Sequence, residues 1–166
     1  MSMITSRRKE QKPLLFLLAR SASKVHRLLW WTRALTIGVR AVVFDESGRV
    51  LLVRHSYIAG WHFPGGGIGR RETTEEAVIR ELREEAGLQC EERPVLHGLF
   101  RQAALKHDHV ACYIIRKFTA VPEARPDWEI AETGFFPAGC LPEGATPGTK
   151  ARLAEILQGQ TLAQEW

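Results

Sequence analysis

The chain has 166 residues, 45% hydrophobic and 25% charged, with a formal net charge of +4. That length suits one domain around a single core, and the composition excludes a disordered, collagen-like or repetitive chain. The basic excess suits an anionic ligand such as phosphate; the chain has no zinc-finger or RNA-binding signature, and duplex nucleic acid is not an expected partner.

Residues 1–33 read as an extension ahead of a domain spanning 34–160. Residues 6–12 are basic and 13–19 apolar, but Arg20, Lys24, His26 and Arg27 break the run. It falls far short of the roughly 18 to 20 apolar residues of a spanning helix, and a cleaved signal peptide is not expected. Leu14, Leu18, Val25, Leu28 and Leu29 recur near helical spacing, so 14–31 predicts an amphipathic helix. Packing on the domain or on a partner is favoured over a place on a membrane surface.

From Leu35 the pattern turns to β. Ile37, Val39, Ala41 and Val43 alternate with Gly38, Arg40 and Val42, then 45–48 supplies turn chemistry, and Val50 to Val53 form a second apolar run. Together they predict a β-hairpin. A glycine-rich loop follows at 64–69. Thr73 or Thr74 caps a helix that runs to about Ala86 and stops at Gly87. Further strands are expected at 95–100, 110–118 and 134–137, with a proline-bearing loop at 122–127. A closing helix over 150–157 places Leu153, Ile156 and Leu157 on one side. Strands and helices interleave without a strict βαβ rhythm, so the fold class is α/β in the broad sense, α+β, with a mixed sheet covered by helices.

Cys90, Cys112 and Cys140 are widely spaced and odd in number, which predicts small buried or half-buried thiols in a reduced, cytoplasmic setting. His55, His62, His107 and His109 have no metal-motif spacing, and Asp108 reads as part of a strand-edge turn.

The chemistry concentrates between Gly66 and Leu88. Glu81, Glu84 and Glu85 stand at i, i+3 and i+4 and converge on one helix face, while Val78, Ile79, Leu82 and Ala86 form an adjoining arc for the core. Like charges at this spacing repel, and hard divalent cations relieve that repulsion, because Mg²⁺ prefers carboxylate oxygens. Glycines ahead of the helix allow close backbone approach, and Gly66 can offer its carbonyl. Glutamates alone also describe a solvated face with ordinary ion pairs to Arg80 or Arg83. The glycine loop, Glu72 and the fixed spacing favour a site.

Gly66, Glu72 and the run Arg80-Glu81-Leu82-Arg83-Glu84-Glu85-Ala86-Gly87-Leu88 match the Nudix box at every fixed position. The lead-in Gly60-Trp61-His62-Phe63-Pro64-Gly65 also resembles that family. The resemblance covers Leu35 to about Leu157. It implies an α/β/α sandwich with a central mixed β-sheet, and a pyrophosphohydrolase that cleaves a nucleoside diphosphate linked to another moiety, with Mg²⁺ or Mn²⁺. It implies Glu81, Glu84, Glu85 and the Gly66 carbonyl as metal ligands, and Glu72 and Arg80 as residues that orient the carboxylates. A further acid from a loop often completes such sites, and Glu129 is the first candidate, Glu132 the second. The proton of the attacking water goes to Glu81, Glu84 or Glu129. The loop departs from a common pattern at Gly69, where many members carry an acid, and at Arg71, where they carry glycine; the departure bears on metal stoichiometry or substrate. The resemblance also suggests a homodimer.

For the substrate, Arg40 and Arg54, with Arg70, Arg71 and Arg101, are candidates to meet phosphates, and Trp61 and Phe63 to stack on a base or else to fill the core beneath the loop. A non-catalytic nucleotide-binding module on the same scaffold is the rival reading; loss of box glutamates would favour it, and none is lost.

Overall fold

The computed structural model describes residues 35–102, 108–121 and 129–166; the expected helix at 14–31, the loop at 122–127 and His107 lie outside them. In chain order the elements are β1 (Thr36–Val43), β2 (Arg49–His55), α1 (Thr74–Ala86), β3 (Leu88–Cys90), β4 (Val95–Arg101), β5 (Asp108–Ile115), β6 (Phe118–Ala120), β7 (Ile130–Pro137) and α2 (Pro147–Gln158). β5 lies between β1, which it pairs in parallel, and β4, which it pairs antiparallel, so the sheet is mixed. β2 pairs antiparallel with β7, and β3 with β6.

Strand alternation divides the core into two layers. Val39, Ala41 and Val43 of β1, Leu51 of β2 and Ala111, Tyr113 and Ile115 of β5 meet Ala77, Val78 and Leu82 of α1. The intervening residues Val42, Phe44, Val50, Leu52 and Cys112 face the other way, onto Phe63, Phe100 and Leu153 of α2. This is the expected α/β/α layering. No helix among the described residues is long and apolar enough to cross a membrane.

The hairpin expectation is corrected. Asp45 does close a tight turn, accepting from the amides of Ser47 and Arg49 and pairing with the Arg49 side chain. Beyond a single bridge between Phe44 and Val50, however, the strands separate to β5 and β7. Both are buried on both faces, so tertiary pairing decides their partners and the turn between them does not.

α1 begins at Thr73, whose hydroxyl accepts from the Glu76 amide while Glu76 bonds back to the Thr73 amide, and it ends at Gly87 in the left-handed region. α2 starts earlier than expected, with Thr146 as cap and Pro147 in its first turn. Its inward face carries Arg152 and Glu155 beside Leu153, whereas Leu157 is exposed. The Arg152 guanidinium lies 3.9 Å from the Phe100 ring centroid and 5.4 Å from that of Trp166, and donates to both carboxylate oxygens of Glu155. His97 closes on the same carboxylate at 3.0 Å. Cys112 is buried, with its thiol pushed up to about 12 by burial, and Cys90 half-buried, but Cys140 is exposed, contrary to expectation.

Candidate active site

The glycine loop reaches its place through backbone bonds to β1. The amide of Val39 donates to the Gly66 carbonyl at 2.9 Å and that of Ala41 to the Pro64 carbonyl at 2.8 Å. Gly65 has φ +143°, and a Cβ there would overlap the Val39 carbonyl, so only glycine fits. Arg40 lies beneath the loop and its Nη1 donates to the carbonyls of Phe63 and Gly65. Burial lowers the Arg40 pKa below the usual arginine range, against the opposing charges of Glu85 and Glu81. The candidate phosphate contact is thus at least partly spent on bracing the loop.

The box acids fall into two groups. Arg80 is the hub of the first: its Nε and Nη2 bind Glu72 at 2.8 and 3.0 Å, its Nη1 binds Glu81 Oε1 at 2.8 Å and Glu84 Oε2 at 2.9 Å, and its Nη2 holds the Gly67 carbonyl at 2.9 Å. Bonds from Arg80 and from the Gly69 amide hold Glu72 down to about 2. The second group is Glu85, only 8% exposed, whose Oε2 accepts from the Gly65 amide at 2.8 Å. Burial pushes it up to about 7, with the charges of Glu81 and Glu129 adding to the rise. Glu81 is also raised, first by burial. A carboxylate that is costly to ionise beside a second one describes a site short of positive charge.

The Glu81 carboxylate lies over Gly66, where a Cβ would come within 2.6 Å of Oε1. In donor chemistry the set suits a hard divalent cation: carboxylate oxygens, a peptide carbonyl, and a space kept open by a missing side chain. Among the described residues, no three acidic, histidine or cysteine side chains are already drawn together around one point. Arg80 occupies one oxygen each of Glu81 and Glu84, so cation binding competes with it.

Two neighbours were not anticipated. His55, 7% exposed, faces Glu85 with Nε2 3.9 Å from Oε1, and its Nδ1 has no partner among the described residues. Tyr57 stacks obliquely on His55 and its hydroxyl meets the Glu129 carboxylate. The alternation of Leu51, Val53 and His55 along β2 is the signal that turns His55 inward. The spacing of Val78, Leu82 and Glu85 likewise puts Glu85 on the apolar stripe of α1.

Glu129 comes to the site: its carbonyl accepts from the Ser56 amide at 2.8 Å, and its charge is felt by Glu85 and His55. Glu132 does not; it pairs with Arg54 across β2 and β7. Arg54 lies 5.9 Å from the Trp61 ring centroid, and Trp61 packs edge-on against Phe136 at 4.8 Å, away from the carboxylates. Phe63 is corrected from a stacking candidate to a core residue. It is fully buried and packs against Trp166 at 6.4 Å between centroids, so it has no face to offer a base.

Known proteins resemble this chain in sequence and in fold. The chain is 48% identical over 52 residues to the RNA pyrophosphohydrolase of Pseudomonas paraeruginosa, covering 31% of this chain and 33% of that protein. It thus spans about a third of the length of the curated relatives it matches. The crystal structure of a MutT NUDIX hydrolase from Burkholderia pseudomallei is 27% identical, covers 73% of this chain and 97% of its own, and superposes with a TM-score of 0.64. An ADP-ribose pyrophosphatase from Streptococcus suis, 22% identical over 80% of this chain and 97% of its own, shares the fold at a TM-score of 0.58. The NUDIX domain matches residues 34–157, which take in the strands, the glycine loop and both helices: the chain belongs to the Nudix family.

Proposed function

We propose that this protein is a pyrophosphohydrolase that cleaves the diphosphate linkage of a nucleotide-type substrate with Mg²⁺ or Mn²⁺. The observation that carries the reading is the meeting of Glu81 and Glu85 from α1 with the Gly65–Gly66 backbone, next to Arg80, Glu72 and Glu84. Glu81, Glu84, Glu85 and the Gly66 carbonyl would hold the cation. That carbonyl already accepts from Val39, so its second lone pair would serve. When bound, a divalent cation neutralises diphosphate oxygens and makes water easier to deprotonate.

The chain's own residues do the rest. Arg80 and Glu72 fix the direction of the carboxylates. Glu129, held by Tyr57 and Ser56 beside Glu85, takes the proton of the attacking water, with Glu81 or Glu84 as alternatives. In-line attack on phosphorus then expels the other phosphate fragment, and positioning and charge neutralisation supply most of the catalysis. Arg54 and Trp61, neighbours on the surface, stay candidates for contact with the outer part of the substrate.

The test is nucleotide or phosphate release from a panel of nucleoside diphosphate derivatives, with and without Mg²⁺, for wild type and Glu84→Gln. Release that needs the metal, and falls by orders of magnitude in the variant with unchanged unfolding, is expected. Near wild-type turnover in Glu84→Gln removes Glu84 from the mechanism. Absence of saturable Mn²⁺ uptake by the folded protein, with or without nucleotide, removes the reading altogether.

A further inference from the structure

The loop between Gly67 and Glu72 is fastened at its backbone while two arginines stand clear of it. The Gly67 carbonyl is held by Arg80, and Ile68 packs against the core under α1. The Gly69 amide donates to Glu72 Oε2 at 2.6 Å, and the Glu72 amide returns to the Gly69 carbonyl at 3.3 Å. Arg70 and Arg71 are both exposed. Arginines 49, 54, 80, 93 and 101 each pair with an acid. Among the described residues, Arg70 and Arg71 pair with none; Arg83 on α1 and Arg116 after β5 likewise lack an acid partner, but Arg116 lies over the Phe44 ring and neither is in this turn.

Arg71 also has φ +64°, a left-handed conformation that no other non-glycine residue among those described adopts. A long side chain there costs backbone energy that glycine would avoid, and no ion pair or side-chain hydrogen bond among the described residues offsets it. Glu72 connects this turn through Arg80 to Glu81 and Glu84, so the backbone that carries Arg70 and Arg71 is tied to the carboxylate site. Guanidinium groups suit phosphate oxygens in geometry as well as charge.

We propose that Arg70 and Arg71 bind the phosphates a substrate carries beyond its scissile pair, so that the enzyme selects substrates with three or more phosphates in a chain. Such a chain belongs to a free nucleoside polyphosphate or to the 5′ end of an oligonucleotide. The proposal rests on the pyrophosphohydrolase reading and names the substrate class for that same site.

The experiment compares full-length wild type, Arg71→Gly and the Arg70→Gln/Arg71→Gly double variant. Its substrates are ADP-ribose, with a neutral sugar beyond the diphosphate, then ATP, adenosine tetraphosphate and a 5′-triphosphorylated oligonucleotide. In the double variant KM for chains of three or more phosphates should rise about 5- to 10-fold, the range for loss of two exposed charge contacts, with kcat unchanged and ADP-ribose within about two-fold. The rise should shrink in high salt. A rise confined to the oligonucleotide, or shared with ATP, supports the proposal and identifies the source. Arg71→Gly should meanwhile melt a few degrees higher, about what relief of one strained residue yields, so affinity and stability move in opposite directions.

Equal change in KM for all substrates, or none for any, overturns the proposal. Calorimetric binding of a non-hydrolysable ATP analogue in Ca²⁺ separates it from the catalytic reading. If the wild type hydrolyses nothing yet binds the analogue 5- to 10-fold better than the double variant, catalysis is refuted and the arginine site stands. Equal analogue affinities refute the arginine site whatever the turnover.

Discussion

The amide of Gly65 donates to Glu85 Oε2 across 2.8 Å, joining the glycine loop to the most buried of the box acids. The bond exists because Gly65 holds a backbone angle closed to other residues and lies against the Val39 carbonyl without a Cβ. Gly65→Ala should cost about 3 kcal/mol or more, combining a strained conformation with a backbone overlap. Urea unfolding measures it. An alanine variant as stable as wild type would show that the loop can shift freely.

Glu85 should give the metal-free protein a characteristic pH dependence. Its folded pKa is raised by burial to about 7, above the ordinary 4.5. Below about 4.5 the carboxyl is protonated in both states and nothing is lost. Between 4.5 and 7 the unfolded chain ionises first, so stability falls as pH rises, and the whole penalty is present above 7. Over that window the loss is on the order of 1–3 kcal/mol. Unfolding in EDTA from pH 5 to 8 should therefore show a flatter profile for Glu85→Gln, with the variant more stable than wild type at pH 8. Parallel profiles would mean that Glu85 ionises freely in the fold.

Arg80 serves Glu72, Glu81 and Glu84 through one planar fork. Lysine keeps the charge and loses the fork. Arg80→Lys should cut turnover by about 10²-fold, the scale for misaligned reacting groups, while Mn²⁺ binding is retained. Wild-type kcat in the lysine variant would reduce Arg80 to a source of charge.

On the α2 side, Arg152 and Glu155 form a buried pair closed by His97. Glu155→Ala should destabilise by about 3–5 kcal/mol by stranding the guanidinium, whereas Arg152→Met with Glu155→Leu should cost much less. Burial pushes Glu155 up, but the Ala163 amide, Arg152 and His97 outweigh it and hold the acid below its ordinary value. Its contribution is thus complete above about pH 4.5 and disappears as pH falls through the lower folded pKa. Thermal unfolding between pH 3 and 6 should show an acid-side loss in wild type that Glu155→Gln lacks. If the double variant costs as much as its two single variants added together, the pair is not acting as a unit.

The box was legible because its residues are local: one turn of α1 brings Glu81, Glu84 and Glu85 together whatever the remainder does, and Thr73 and Gly87 mark its ends. What depended on distant pairing was not. The segments at 37–43 and 50–53 read as the two arms of a hairpin until β5 and β7 claimed them. Phe63 looked available to a base because nothing nearby in sequence says that Phe100 and Trp166 close over it. β3 was missed at three residues, too short for any alternation. Arg152 and Glu155 hid in a helix whose leucines were taken for its whole inner face, since the aromatic rings that enclose the guanidinium come from β4 and the end of the chain.

Because β1, β2 and β5 supply side chains to both layers, the alignment of the carboxylate site is inherited from the frame of ordinary aliphatic residues. A single codon inserted between Val50 and Val53 would rotate His55 away from Glu85 and at the same stroke turn Leu52 toward the wrong helix. The exposed turn at 46–48 can absorb added residues; the strand after it cannot. Tolerated length variation in relatives of this chain should therefore gather at that turn, and a library of one-residue insertions would map the boundary directly.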